Sequence, residues 1–417
     1  VAGFCSPAGV PVRALCLRMD QIREGCITQE YEYDVYADLL GEGTYGKVYR
    51  CTHKATQEQY AVKVIPARPS RMEEEFMEIE LLRRLNHPNC ISLKDVMVDG
   101  QTVYAVQELS DGGELLSFIA QRKASGGLME AEVREVTLQI LQALVYLHTV
   151  VHIVHRDLKP ENILVSTHPH LQVKLIDFGQ AKYIGRVEDF RAFLQEDRDG
   201  RDPTGSNHEL HDDSFIMCTP TGTPGYCAFE IVNHVAEQYA ESVQQCCAKH
   251  CTTRRNIQKV DIFSVGIMLY LMLSGQPPFL KPHETGASFQ LLQRRMEMGL
   301  KFPAAFWERV SGDGKACTAS LLQLSPSGRP SAQEALAHPW FQTPLPGSLL
   351  ATRDPAQYVD IRQCAAGMTS MVAIQADWAH SPLPSALASP TSPPPSDWTM
   401  EAASPGGSLS GATGEAS

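Results

Sequence analysis

The chain has 417 residues and a mass of 46.0 kDa, enough for one large domain or two of ordinary size. A composition of 43% hydrophobic and 20% charged residues is that of a globular protein with a sizeable core, which excludes a wholly disordered chain. Against 36 Lys and Arg stand 48 Asp and Glu, and the net charge of −12 excludes nonspecific nucleic-acid binding or attachment to an anionic membrane as the leading function.

The acidity is local: residues 188–213 hold nine acids and three bases, and residues 342–417 hold six acids and two bases. Twelve cysteines are scattered through a chain far too long to be a disulfide-stapled miniprotein. Residues 1–20 carry Arg13 and Arg18 but no long apolar core before a cleavage site. The longest apolar stretch, Ile267 to Leu273, is too short to span a bilayer. The expectation is a cytoplasmic or nuclear protein without a membrane or nucleic-acid partner.

Residues 1–34 show no clear period and are expected to form a loosely ordered N-terminal extension. Short runs rich in β-branched and aromatic residues predict strands at Val35–Gly41, Gly46–Thr52 and Gln59–Ile65. Met72, Phe76, Ile79, Leu82 and Leu85 then recur at helical spacing until Asn86-His87-Pro88 ends the helix. Further strands are expected around Ile91–Val98 and Thr102–Glu108. After Gly112-Gly113 the period becomes helical: Val133, Val136, Ile140, Leu144 and Leu147 line one face. Ile262–Leu273 is apolar almost all round, so it should be a central buried helix. Beyond Phe341 the chain turns rich in Pro and Ser, and residues 342–417 are expected to be a disordered tail.

Three constellations carry chemistry. Gly41-Glu42-Gly43-Thr44-Tyr45-Gly46, followed by Val48, suits close approach of backbone N–H groups to phosphate. Alone it is a weak signal, open also to a plain glycine hairpin; the strand that follows it disfavours a Rossmann crossover. Lys63, in Tyr60-Ala61-Val62-Lys63, can reach phosphate oxygens and needs a carboxylate to hold it. Glu78, one turn before Leu82, should face inward for that purpose, while Glu80 should be solvated. Then come His155-Arg156-Asp157-Leu158-Lys159-Pro160-Glu161-Asn162 and, fifteen residues after Asn162, Asp177-Phe178-Gly179.

In that order these motifs resemble the eukaryotic protein kinase family across residues 35–341. The resemblance implies an α+β, bilobal fold, with a small antiparallel β-sheet N-lobe carrying one main helix and a larger helical C-lobe. It implies ATP and Mg²⁺, with Asp157 accepting or orienting the proton of the attacking hydroxyl and Asn162 and Asp177 as metal ligands. Lys63, positioned by Glu78, would hold the α- and β-phosphates, and Lys159 would neutralise the γ-phosphate. Gly41, Glu42, Gly43, Thr44, Tyr45 and Gly46 would cover the nucleotide. Val48, Ala61 and Leu164 would sandwich the adenine, with Gln107 as gatekeeper and Glu108 to Leu109 as hinge. Leu82, His155 and Phe178 would join an aligning apolar stack. Ala228-Phe229-Glu230 and Arg329 resemble a distant ion pair of the family, and Asp261-Ile262-Phe263-Ser264-Val265-Gly266 resembles its D-x-W-S-x-G.

Lys159 and Thr223, within Gly222-Thr223-Pro224-Gly225-Tyr226, resemble the serine/threonine type. Asp111-Gly112-Gly113-Glu114-Leu115 looks most like the calcium/calmodulin-dependent kinase-like group. Glu114 and Glu161 then imply protein substrates with basic residues before the acceptor; Glu114 as a helix cap or solvent-facing acid is the alternative. Calmodulin dependence is not supported by the acidic, Pro-rich tail. Two insertions depart from the family, at about 185–215 and 235–258. The first makes a long activation segment, in which phospho-Thr219, placed there by an upstream activating kinase, would pair with Arg156; Thr221 and Ser214 are alternates and local acids the rival. The second holds Cys246-Cys247-Ala248-Lys249-His250-Cys251, whose spacing fits no standard zinc knuckle. Phe229 replaces Pro, putting the shape of the substrate loop in question, and Gln180 leaves Ser-versus-Thr preference open. The function expected is ATP-dependent phosphorylation of Ser/Thr hydroxyls. The alternative is a pseudokinase scaffold, disfavoured because Lys63, Asp157, Asn162 and Asp177 are all present.

Overall fold

The computed structural model describes residues 23–43, 46–66, 72–110, 112–122, 127–167, 170–185, 215–217, 222–238, 251–281 and 287–342. Its N-terminal part is a seven-stranded sheet of β1 (Arg23–Glu24), β2 (Tyr31–Glu32), β3 (Leu39–Gly43), β4 (Gly46–His53), β5 (Gln59–Pro66), β6 (Leu93–Asp99) and β7 (Thr102–Glu108). The order is β1-β6-β7-β5-β4-β2, with β3 also paired to β4. Helix α1 (Met72–Arg84) is inserted between β5 and β6. The expected antiparallel sheet is antiparallel at every pairing but one, because β1 runs parallel to β6 at the edge.

Strand alternation divides this sheet into two working faces. The pairs Val48↔Lys63, Lys63↔Ala105 and Ala61↔Gln107 put these five side chains on one face. On that face Ile65, Val96 and Val103 pack with Ile79 of α1. The opposite face buries Tyr49, Cys51, Val62, Met97 and Val106 beneath Ile27 and Tyr31.

Ile27 and Tyr31 correct the expectation of a loose lead-in for residues 23–34. A 3₁₀ turn, Ile27–Gln29, turns both side chains onto the sheet, where they are 1% and 2% exposed. Two anchors across one tight turn make no sequence period, which is why the pattern was silent. The strand expected from Val35 begins only at Leu39. Before it, the Asp34 carboxylate accepts the N–H groups of Tyr36 (2.7 Å) and Ala37 (3.1 Å), a local turn that competes with strand geometry. Glu80 is not solvated: it is partly buried and paired with Arg83 and Arg84 on its own helix.

The C-terminal part is helical. It contains α2 (Leu115–Arg122), α3 (Glu130–Val145, continued by a π turn over Tyr146–Val150), α4 (Phe229–Gln238), α5 (Arg254–Ile257) and α6 (Lys259–Ser274), with α7 (Phe289–Glu297), α8 (Ala304–Trp307), α9 (Gly312–Leu321), α10 (Ala332–Leu336) and α11 (Pro339–Gln342) beyond. Every residue of α6 except Val260 is buried, as the nearly continuous apolarity of Ile262–Leu273 requires. Three small ribbons complete this part: β8 (Ile153–Val154) with β11 (Lys182–Tyr183), β9 (Ile163–Ser166) with β10 (Gln172–Leu175), and β12 (Phe215–Met217) with β13 (Cys251–Thr253). Of the insertions and the tail, most residues lie outside the described ones. Cys26, Cys51, Cys90, Cys227 and Cys317 are free thiols, and among the described residues no helix is long and apolar enough to cross a membrane.

Candidate active site

The site forms where the α1 face of the sheet meets the loops on α3 and α6. Lys63 Nζ donates to Glu78 Oε1 at 2.7 Å and lies 3.9 Å from Asp177 Oδ1. Glu78 is 3% exposed. Burial pushes its carboxyl upward, Lys63 opposes that, and the like charge of Asp177 adds to it.

The β3–β4 hairpin carries Gly41, Glu42, Gly43 and Gly46 above this point, with Gly43 facing Gly46; Thr44 and Tyr45 lie outside the described residues. A Cβ on Gly46 would come within 2.2 Å of the Val64 carbonyl, so any other residue would push the strands apart. Val48, Ala61, Gln107, Leu109 and Leu164 are half-buried. Glu108 has another task than the one expected of a hinge alone: its carboxylate accepts the Ser92 N–H (2.8 Å) and pairs with Lys174 (2.9 Å), tying the end of β7 to β10.

The loop from His155 to Asn162 is held from below by Asp261 at the head of α6. Its carboxylate accepts the N–H groups of His155 (2.9 Å) and Arg156 (2.8 Å) and bonds His148 Nε2 at 2.8 Å. Burial opposes this charge, but His148 and the backbone donors overcome it and keep the carboxyl low. The Arg156 backbone is left-handed there (φ 67°), as is that of Asp177 (φ 61°), a costly geometry that only a surrounding lattice of bonds maintains. The sequence motif contains Asp261 without revealing its task. A carboxylate in the first turn of a helix that is otherwise largely apolar must find buried donors, and that is the available signal of its task.

Above Asp261, one hydroxyl links the two catalytic candidates. Thr223 Oγ1 donates to Asp157 Oδ1 (2.8 Å) and accepts from Lys159 Nζ (3.0 Å), which itself donates to Asp157 Oδ2 at 2.8 Å. Burial pushes the Asp157 carboxyl up, but Lys159 and the Thr223 hydroxyl outweigh it and hold it below the usual carboxylate range. The adjoining Gly222 has φ +127°, and a Cβ there would lie 2.9 Å from the Arg156 carbonyl. Thr223 therefore reaches Asp157 only because a glycine precedes it.

Asn162 is 6% exposed and spends its amide N–H₂ on the Asp157 carbonyl (2.8 Å) and carboxylate (3.1 Å). Its amide oxygen and the Asp177 carboxylate are hard oxygen donors, the set a divalent cation such as Mg²⁺ takes alongside phosphate oxygens and water. The residues present fit such an ion.

The Glu161 carboxyl is pushed up by burial, with Glu114 and Asp157 adding like charge and Lys159 offsetting part of it. Its Oε2 is buried without a hydrogen-bond partner. Glu114 is exposed at the start of α2 and forms a bridge with Leu164. Leu82, His155 and Phe178 are all buried, with the rings of His155 and Phe178 5.0 Å apart. Despite Phe229, Glu230 meets Arg329 in a two-pronged pair at 2.8 and 2.5 Å. Arg156 Nε donates to the Gln180 carbonyl at 2.7 Å. Thr219, Thr221 and Ser214 lie outside the described residues, as does the Cys246–His250 part of the cysteine cluster; Cys251 contributes its backbone to β13.

The protein kinase domain model matches residues 35–341. A Dictyostelium discoideum protein named "Probable myosin light chain kinase" is 32% identical over 74% of this chain and 83% of its own length. Myosin light chain kinase A of the same organism is 30% identical over 79% of this chain and 94% of its own. Calcium/calmodulin-dependent protein kinase type IV of Mus musculus is 34% identical over 72% of this chain and 53% of its own length. The chain belongs to the protein kinase family, as a bilobal serine/threonine kinase most similar to the calcium/calmodulin-dependent kinase-like group.

Proposed function

We propose that the chain transfers the γ-phosphate of ATP, with Mg²⁺, to Ser or Thr hydroxyls preceded by basic residues. The triangle of Asp157, Lys159 and Thr223 carries this reading. Asp157, kept ionised, orients the acceptor hydroxyl and takes its proton. Lys159 supplies positive charge beside that point, and Thr223 sets the distance between the two. Lys63, aligned by Glu78, meets the α- and β-phosphates. Asn162 and Asp177 would hold divalent ions, which would neutralise charge on the transferring phosphoryl group. With so little covalent work to do, the rate comes from positioning and electrostatics.

Selectivity follows from the acidic side of this centre. The unpartnered Glu161 oxygen and the exposed Glu114 together attract a guanidinium, which can give two parallel hydrogen bonds to a carboxylate. Thr219 is the proposed switch of the long activation segment, with Arg156 as the receiver of its phosphate.

The test is a radiolabelled Mg²⁺/ATP assay on a positional peptide library, with Asp177→Ala as control. Transfer lost in the variant and Arg enriched before the acceptor is the expected result. If neither protein transfers phosphate and an upstream kinase restores nothing, the chain is a scaffold instead. Full activity of Thr219→Ala would remove the switch alone.

A further inference from the structure

The two insertions, read from the sequence as separate departures, are joined in the structure. Their ends pair as the antiparallel ribbon β12–β13, with Phe215↔Thr253, Ile216↔Thr252 and Met217↔Cys251 in register. Two short strands alone are marginal in water, so such a ribbon persists only if something fixes its ends.

Each strand leads to an anchored residue, that of β12 across residues 218–221, which lie outside the described ones. Five residues after Met217 comes Gly222, packed against the Arg156 carbonyl, and then Thr223 on Asp157. On the other strand, β13 runs straight into α5, whose last residue, Ile257, is 2% exposed and packs with Val154 and Ile184. Val154 immediately precedes His155 of the catalytic loop. Ile184 lies just past the Asp177-Phe178-Gly179 motif, where its N–H donates to the His152 carbonyl at 2.7 Å. Next to Ile257, Gln258 Nε2 donates to the His148 carbonyl at 3.2 Å. One limb of seven residues, 251–257, thus holds the rear of the activation segment through its backbone and the front through one side chain.

We infer that residues 251–257 are a built-in clamp that positions the activation segment for catalysis, with Ile257 as its positioning residue. The inference rests on the kinase reading above and adds a means of ordering both ends of the segment without a phosphate. Its action on chemistry is indirect: Ile257 supports Val154 and Ile184, and the ribbon delivers Gly222 and Thr223 to the Asp157–Lys159 pair.

The test uses the full chain after phosphatase treatment. Hydrogen exchange should show slowed amides in 215–217 and 251–253 in the parent protein. N–H directions alternate along a strand, so the double variant Cys251→Pro/Thr252→Pro removes an inward donor whichever residue supplies it. It should free 215–217 to exchange and lower kcat on the order of tenfold, with the KM for ATP unchanged. Ile257→Ala should do the same, and Ile257→Val should restore most of the rate, which a merely destabilised fold would not separate from ATP binding. Unprotected amides at 215–217 in the parent protein, or parental kcat in both the proline variant and Ile257→Ala, would overturn the clamp. If the parent transfers no phosphate at all, the kinase reading fails, while the exchange measurement still decides whether the ribbon exists.

Discussion

Two ion pairs of this molecule use the same charges for different ends. At the base of the helical part, Arg329 is 2% exposed and each of its five N–H donors has an acceptor. Nε meets the Gln323 carbonyl, Nη1 meets Glu230 and the Lys259 carbonyl, and Nη2 meets Glu230 and the Leu324 carbonyl. The guanidinium also lies 4.7 Å from the centre of the Phe263 ring. In the active site Lys63 is a point charge between two carboxylates, 2.7 Å from Glu78 and 3.9 Å from Asp177. A planar fork saturated by fixed partners suits a permanent joint, whereas a compact ammonium on a flexible stem suits the phosphate-holding role proposed for Lys63.

The sharpest way to break this comparison is to exchange the cations while keeping the charge. Lys63→Arg should lower kcat on the order of a hundredfold, because a wider fork cannot place its charge where Nζ sits. Its melting temperature should stay near that of the parent. Arg329→Lys should do the reverse: one ammonium cannot satisfy the acceptors that five donors served, so stability falls first and activity follows it. Full truncation, Arg329→Ala, leaves Glu230 and three carbonyls without their partner, and a loss of about 3–5 kcal/mol is expected from denaturant unfolding. If Arg329→Lys melts with the parent, the saturated joint is not what holds α4 and α6 together.

The Lys63 site was legible in the sequence because the family resemblance rests on a few polar residues in a fixed order, Lys63, Asp157, Asn162 and Asp177. The packing that holds them was less so. Ile27 and Tyr31 anchor the sheet from a stretch without period. Glu80 looks solvated from its neighbours in sequence but is paired with Arg83 and Arg84. The β12–β13 ribbon joins two segments that differ in composition and are far apart in the chain, and nothing local announces such a pairing. Thr223 was recognised by its motif, but its place between Asp157 and Lys159 depends on the backbone of Gly222, a conformation rather than a residue type.

A smaller effect tests the acidic side of the site. Burial and the charges of Glu114 and Asp157 raise the Glu161 carboxyl above the usual range, so on acidification it takes up its proton earlier than an exposed glutamate would. A protonated Glu161 no longer attracts a substrate cation. The KM for an Arg-containing peptide should therefore rise as pH falls, beginning above the ordinary carboxylate range, while a peptide without the Arg shows no such rise. Glu161→Gln should raise the KM of the Arg peptide on the order of tenfold at neutral pH and weaken its pH dependence, leaving the part due to Glu114, whose carboxyl burial also raises. Equal KM values for the two peptides in the parent protein would sink the guanidinium reading and leave the transfer chemistry untouched.

The smallest effect concerns a third guanidinium, which separates charge from burial. Arg23 meets Glu30 at 2.6 Å and also pairs with Asp95, yet its side chain is 45% exposed. Water already solvates Arg23 and Glu30 there, and Asp95, only 13% exposed, keeps the Tyr31 hydroxyl as a donor, so Arg23→Ala should cost only about 0.2–1 kcal/mol, and less at high salt. Ile27, four residues on and 1% exposed, has no charge at all, but Ile27→Ala should cost about 2–5 kcal/mol because it opens a cavity between the N-terminal segment and the sheet. The two variants, unfolded side by side in denaturant, decide what fastens residues 23–34. A larger loss from Arg23→Ala would mean that its ion pairs hold the segment, and that exposed guanidinium bridges here rival the buried one at Arg329. The expected order, Ile27 well above Arg23, makes the Arg329 joint strong through burial and saturation rather than through charge.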